Sequence, residues 1–267
     1  PNKTKIEWTD YTSNPIAPVD GGWGCSKVSP GCTKCYAETL NKRFGNKRDF
    51  RGKWEFVLKE QELKALAKLP AGSKCFIMDM GDMFHPDIPW EMITRVFNSM
   101  ACTPWVTFQV LTKRPGRMAY FAEHFGADTG VGWKQEWPPN IWAGTSVEGQ
   151  KYAPRLDVLA RVPALVRFVS VEPMLGPLDL EPWMTPCWLG IDQRQAFTDE
   201  PQKLIDWVIV GGESGPHARP MHPDWAREIR NQCQKAGIAF FFKQASGLYP
   251  GTPSGDRTLD SCKEMPV

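Results

Sequence analysis

The segment Lys74-Cys75-Phe76-Ile77-Met78, continued by Asp79-Met80-Gly81-Asp82-Met83-Phe84-His85-Pro86, decides the fold. A short apolar run ends in a polar, Gly-bearing loop. Residues 89–100 then read as an amphipathic helix, with Pro89 near its first turn, where proline is favoured. The same order recurs downstream. Residues 105–111 form a strand that runs into Thr112-Lys113-Arg114-Pro115-Gly116 and a helix through Phe125. Residues 141–146 form the next strand, with a helix over about 152–160. Residues 165–170 follow and end in Val171-Glu172-Pro173. Residues 207–210 end in Gly211-Gly212-Glu213-Ser214-Gly215. After a helix over 223–236, residues 239–242 end in Lys243-Gln244.

Strands alternating with helices predict a parallel sheet with right-handed crossovers. The strands are nearly continuous apolar runs, as expected where both sheet faces are covered. Polar residues follow each one: Asp79 and Asp82, Lys113 and Arg114, Thr145 and Ser146, Ser170 and Glu172, Glu213 and Ser214, Lys243 and Gln244. In a β/α barrel the carboxyl ends of the strands gather over one mouth, where active sites are built. The pattern therefore favours an α/β fold with parallel strands, a full or partial (β/α) barrel, over an open doubly wound sheet. One domain is expected over residues 1–267, with an insertion or lid at about 181–205, where the rhythm breaks. Residues 126–139, with Trp133 and Trp137, read as a second such loop.

Upstream lies Gly24-Cys25-Ser26-Lys27-Val28-Ser29-Pro30-Gly31-Cys32-Thr33-Lys34-Cys35-Tyr36, before a probable helix over 36–44 and an amphipathic one over 59–69. Three thiolates fill three corners of a metal site and leave the fourth open, whereas structural sites are closed by four ligands. The next cysteine is Cys75, so a zinc staple needs a distant fourth ligand such as His85, His124, His217, His222 or a remote Cys. A 4Fe-4S cluster held by three cysteines, with one iron open to a small chelating molecule, fits this spacing better.

Bulk composition bounds the function. At 42% hydrophobic and 23% charged residues, the chain is that of an ordinary globular enzyme. A net charge of +2 is too small for bulk capture of nucleic acid. A local run, Lys42, Arg43, Lys47, Arg48, Arg51 and Lys53, is either a phosphate-binding patch or a solvated surface. Eight cysteines are too dilute for a disulfide scaffold; Cys75 and Cys233 read as buried, inert thiols. No signal peptide opens the chain and no apolar run reaches about 18 residues, so a cytoplasmic protein with no membrane partner is expected.

Several motifs occur together: Ile6-Glu7-Trp8-Thr9-Asp10, Ser29-Pro30-Gly31-Cys32-Thr33-Lys34-Cys35-Tyr36-Ala37-Glu38, Asp82-Met83-Phe84-His85, Leu111-Thr112-Lys113-Arg114, Ser170-Val171-Glu172-Pro173 and Gly211-Gly212-Glu213-Ser214-Gly215. In these the chain resembles the radical S-adenosylmethionine superfamily, and within it a phage-associated three-Cys-motif family, with a distant similarity to spore photoproduct lyase. Two features depart from the superfamily's Cys-x3-Cys-x2-Cys pattern. Six residues separate Cys25 from Cys32, and the aromatic Tyr36 follows the third cysteine instead of preceding it.

The resemblance implies a TIM-type barrel and a 4Fe-4S cluster on Cys25, Cys32 and Cys35. It implies S-adenosylmethionine at the open iron, cleaved on reduction to a 5′-deoxyadenosyl radical that abstracts hydrogen. Tyr36 is then expected beside the cluster, Gly81 and Asp82 at the methionine ammonium, and Lys113 at the cofactor carboxylate. Thr145, Ser146, Ser170 and Glu172 become ribose or methionine contacts, with helix N-capping as the ordinary role of the hydroxyls. His85, Arg114, Glu213 and Lys243 are candidate substrate contacts. The implied partners are an electron donor such as flavodoxin or ferredoxin and a DNA, RNA or nucleotide substrate, in the host cytoplasm if the chain is phage-encoded. The rival reading is a zinc-stapled nucleic-acid- or protein-binding module without radical chemistry.

Overall fold

A computed structural model describes residues 1–124, 137–185 and 203–266. The chain divides into two compact units, Pro1–Ala143 and Gly144–Val267. The first contains strands β1 (Asn2–Lys3), β2 (Tyr11–Ser13) and β3 (Ile16–Pro18), helix α1 (Tyr36–Phe44), strand β4 (Phe56–Leu58) and helix α2 (Glu60–Leu66). Strand β5 (Lys74–Ile77), helix α3 (Trp90–Ala101), strand β6 (Thr107–Thr112) and helix α4 (Pro115–His124) complete it. Strand β5 is its centre, pairing in parallel with β2 on one side and β6 on the other, so that Phe76 lies between Thr12 and Gln109. Strand β1 covers the outer edge of β2 in antiparallel fashion.

The apolar face of α3 organises the packing of this unit. Ile93, Val96, Phe97 and Met100 are all fully buried, at the three- and four-residue spacing of one helix face. Phe97 packs on Phe121 and Trp137 at ring-centroid distances of 4.7 and 5.0 Å, and on Phe84 at 6.4 Å.

Strand β7 (Ile141–Ser146) contains the division between the units. The second unit continues with α5 (Arg155–Leu159), β8 (Arg167–Val171), α6 (Glu181–Met184), β9 (Trp207–Gly211), α7 (Pro223–Ala236), β10 (Ala239–Gln244) and α8 (Arg257–Asp260). Strands β8, β9 and β10 pair in parallel, Phe168 opposite Trp207 and Trp207 opposite Ala239. Every residue of β8 and β9 is buried, Arg167 and Ser170 of β8 included, and β9 reads as an unbroken apolar run. Helix α7 has its stop in the sequence: Gly237, at φ 60°, takes the left-handed position that ends the helix.

All six expected strands are present, and the α/β class with mainly parallel strands is established. Strands β1 to β4 are absent from the sequence reading, because they are two or three residues long and β2 carries Thr12 and Ser13 where an apolar run is sought. The helix expected over 152–160 is shorter, since Pro154 caps α5 and a separate turn precedes it. Phe125, most of the 126–139 loop including Trp133, and residues 186–202 of the expected insertion lie outside the described residues. Among the described residues no helix is long and apolar enough to cross a membrane.

Phe97→Ala removes a fully buried ring from the α3 face. It is expected to cost about 3–5 kcal/mol, read as a lowered denaturation midpoint; a loss under about 1 kcal/mol contradicts the packing described.

Candidate functional site

The three-cysteine loop belongs to an insert between β3 and β4, which pair in antiparallel fashion and close its base, Ala17 opposite Val57. Two buried polar residues of α1 hold the insert together. The Asn41 side chain accepts from the Trp23 amide at 2.8 Å and donates to the Arg48 carbonyl at 3.0 Å. Glu38 accepts from the Phe50 amide at 3.1 Å and pairs with Lys27 at 2.8 Å. Burial pushes the Glu38 carboxyl up, but the Lys27 and Phe50 bonds outweigh it and hold the group below its ordinary value. Gly24 gives the loop its close approach: a Cβ there would stand 2.8 Å from the Trp54 ring. Trp54 also donates its indole N–H to the Cys25 carbonyl at 2.8 Å.

Cys25, Cys32 and Cys35 are all free and partly accessible. Cys35 is the N-cap residue of α1, and the Ala37 and Glu38 amides favour its thiolate, as does the charge of Lys113. Burial is the stronger influence and leaves the Cys35 thiol raised. Burial, followed by the charge of Asp82, pushes the Cys25 thiol up to about 12 against the pull of Arg114. A metal at Cys25 must therefore displace a proton.

A single ion draws its ligands together on bonds of about 2.3 Å to sulfur. Among the described residues no three His, Cys, Asp or Glu side chains converge in that way. Three thiols on one loop match the cysteine ligands of a 4Fe-4S cluster in donor type and number. Cys75 and Cys233 are fully buried, and burial raises both thiols, as expected of inert cysteines.

Beside Cys25 runs a chain of polar contacts. Asp82 is buried and accepts four bonds: from the Phe84 amide and Thr112 Oγ1 on one oxygen, at 3.0 and 2.7 Å, and from the Lys113 amide and Arg114 Nη1 on the other, at 3.3 and 2.6 Å. Arg114 Nη1 also reaches the Cys25 sulfur at 3.9 Å, and Nη2 donates to the carbonyl and hydroxyl oxygens of Ser26 at 2.9 and 2.8 Å. Ser26 Oγ lies 2.8 Å from His85 Nε2. The Asp87 amide donates to His85 Nδ1 at 3.2 Å, so the proton of the neutral ring sits on Nε2 and points at Ser26.

These contacts correct three expectations. Asp82 is saturated by this chain's own donors and is not poised for a ligand's ammonium. Arg114 is committed to Asp82, Cys25 and Ser26 instead of a substrate. His85 is 1% exposed, not a residue at an open mouth, and burial lowers its ring to about 4. Asp79, two residues past β5, is partly exposed; its Oδ1 accepts from Asn14 at 2.6 Å, and burial raises its carboxyl. Tyr36 donates its hydroxyl to the Asp79 carbonyl, tying α1 to the end of β5. Met78, at φ 61°, turns the chain there, a left-handed conformation that costs a residue with a side chain roughly 1–2 kcal/mol. Gly81 lies in the same turn, its amide bonded to the Met78 carbonyl at 3.1 Å.

In the second unit the strand-end residues form ion pairs of their own. Glu172 pairs with Lys243 at 2.9 Å and accepts from Ser170 Oγ at 3.2 Å. Gly211 makes room for that carboxylate: a Cβ there would stand 2.5 Å from Glu172 Oε1. Glu213 is gripped by Arg219, which donates Nε and its backbone amide to one oxygen and Nη2 to the other. Arg155 donates to Glu148 at 3.0 Å and to the Ser146 carbonyl at 2.7 Å. Thr145, Ser146 and Ser170 are buried, whereas Glu172 and Lys243 remain partly exposed.

Sequence reasoning passed over Glu148 and Arg155, which lie beyond the strand ends and acquire their partners only in the fold. The basic run is partly consumed. Lys42 pairs with Asp49, and Arg48 pairs with Asp20 at 3.1 Å and lies 4.1 Å from the Trp54 ring. Arg43 covers the exposed ring of Phe44.

The arrangement is that of an α/β protein with a thiol-bearing loop and charged strand ends. The chain belongs to the family described as Protein of unknown function (DUF5131), whose model matches residues 3–259. No curated protein matches the chain, and neither does any solved structure.

His85 gives a test in pH. Its ring is held below the ordinary value of 6.5, so between pH 6.5 and about 4 the unfolded chain binds a proton that the folded one does not. Stability should therefore fall on acidification through that window, by up to about 3 kcal/mol, and level off below it. His85→Gln, which keeps a donor toward Ser26, should lose less over the same interval in denaturant titrations. An identical pH slope in both proteins contradicts the buried, neutral ring.

Proposed function

We propose that this protein is a radical S-adenosylmethionine enzyme whose Cys25, Cys32 and Cys35 hold a 4Fe-4S cluster on a (β/α) barrel of that superfamily's type. The observation that carries the reading is three free thiols on one loop, with a guanidinium at Cys25. Reduced and bound, such a cluster supplies the electron that cleaves the sulfonium of S-adenosylmethionine and so the radical that removes a substrate hydrogen.

The chain's own residues do the rest. Cys25, Cys32 and Cys35 would hold such a cluster, and as only three protein ligands they would leave it open to the cofactor. Asp79, partly exposed at the end of β5, is better placed than the saturated Asp82 to receive an ammonium. Lys113, whose charge is felt at Cys35, offers a cation for a carboxylate. In the second unit, Glu172 and Lys243 are a partly exposed ion pair at the strand ends, with Ser170 Oγ bonded to Glu172.

The substrate we propose is a modified nucleotide or a DNA or RNA base, as in phage DNA modification, with a flavodoxin or ferredoxin as reductant in the cytoplasm. Arg43, Lys47 and Arg51 supply the phosphate contacts in this reading. About three such contacts predict a loss of roughly 20-fold in affinity for single-stranded nucleic acid over a fourfold rise in salt. Fluorescence anisotropy checks this; binding that is absent or indifferent to salt removes the nucleic-acid substrate.

The chemistry is tested by anaerobic reconstitution with S-adenosylmethionine and dithionite, scoring methionine and 5′-deoxyadenosine. Both products are expected, and Cys25→Ala, Cys32→Ala and Cys35→Ala should each reduce them to the protein-free background. Full cleavage in any one variant contradicts the ligand assignment.

A further inference from the structure

Arg114 sits where its charge is expensive to keep, with its side chain 11% exposed against Asp82 at 7%. Its backbone is fixed at the end of β6 by its amide, which donates to Thr112 Oγ1 at 2.9 Å, and by its carbonyl, which accepts from the Arg117 amide at 3.0 Å. The guanidinium then spends both terminal nitrogens on one short stretch of the cysteine loop and on Asp82. Nη1 reaches Asp82 Oδ2 at 2.6 Å and Cys25 Sγ at 3.9 Å, while Nη2 reaches Ser26 O at 2.9 Å and Ser26 Oγ at 2.8 Å. Only a planar fork presents donors in this spread, and only arginine keeps its charge at any accessible pH. A lysine at the same place is a point charge that cannot span the sulfur, the carbonyl and the carboxylate together.

We propose that Arg114 is a positioning residue for Cys25: it clamps the carbonyl and hydroxyl oxygens of the adjacent Ser26 and donates an N–H to the Cys25 sulfur, drawing negative charge from that ligand. The proposal rests on the reading of Cys25 as an iron ligand and goes beyond it, because it says what sets that ligand's electronic character. Hydrogen bonds to ligand sulfurs are among the features that fix an iron–sulfur potential, and each one favours the reduced, more negative cluster. His85 holds the far side of Ser26 and Asp82 orients the guanidinium, so the clamp is supported at both ends.

The test compares the wild-type protein, Arg114→Gln and Arg114→Lys after anaerobic reconstitution, by redox titration followed in the spectroscopic signal of the cluster. Arg114→Gln should be harder to reduce, with the ratio of reduced to oxidised cluster at a fixed poise falling about tenfold, or ~59 mV for one electron. Arg114→Lys should fall in the same direction by less. Unchanged potentials in whichever variant holds the cluster overturn the proposal. Loss of iron from both variants supports it if the metal-free proteins unfold at the wild-type temperature, since Arg114 then acts on the ligand loop and not on the fold. Loss of iron with a lowered unfolding temperature makes Arg114 a residue of the fold and overturns the proposal. Absence of iron and sulfide from the wild-type protein is a different failure, that of the cluster reading itself.

Discussion

The first unit turns on one buried carboxylate. Asp82 accepts from Phe84 in its own loop, from Thr112 and Lys113 at the end of β6, and from Arg114, whose other bonds hold the cysteine loop. Each bond has a charged acceptor in a buried setting, where such bonds are strong and an unpaired group is costly. The network is therefore satisfied as a whole or not at all, and it fixes three segments far apart in the sequence against one another. The side chain that a motif reading assigns to a ligand instead acts within the fold, where it orients the arginine that contacts Cys25 and Ser26.

The insert that carries those thiols is built on the same logic of buried polar groups. Glu38 and Asn41 face inward from α1 and receive the amides of Phe50 and Trp23, so a loop without regular structure still has its donors accounted for. Trp54 fills the space that Gly24 leaves and donates to the Cys25 carbonyl. The loop is thus held by its backbone and its neighbours, and the three sulfurs remain partly accessible. A binding loop placed by a rigid surround is how a site on irregular structure keeps its geometry.

How much of this was legible depended on the range of the interactions. The six long strands follow from local apolar runs, and α7 lies over the 223–236 expected for it, because burial and backbone preference act within a few residues. Strands β2 to β4 have no such signature: Tyr11-Thr12-Ser13 is a strand only because β5 lies beside it. The grouping of three cysteines on one loop was readable, since it is a matter of spacing alone, and the structure keeps all three free. The partners of Asp82, Arg114, His85 and Glu213 were not readable. A carboxylate that will receive an ammonium and one that will receive an internal arginine are the same letter, and only the fold brings Arg114 to Asp82 or Arg219 to Glu213. Glu38 stood inside a recognised motif and still gave no sign that it would close the insert around Phe50.

The central claim is that three thiols on one loop hold a multi-iron centre with a free coordination site. Its most direct test is the iron and acid-labile sulfide content of anaerobically purified protein, with Mössbauer or paramagnetic resonance spectra recorded before and after addition of S-adenosylmethionine. About four irons and four sulfides per chain are expected, with a spectrum altered at one iron by the added molecule. One tightly held zinc per chain without sulfide, or a cluster blind to the added molecule, contradicts the account.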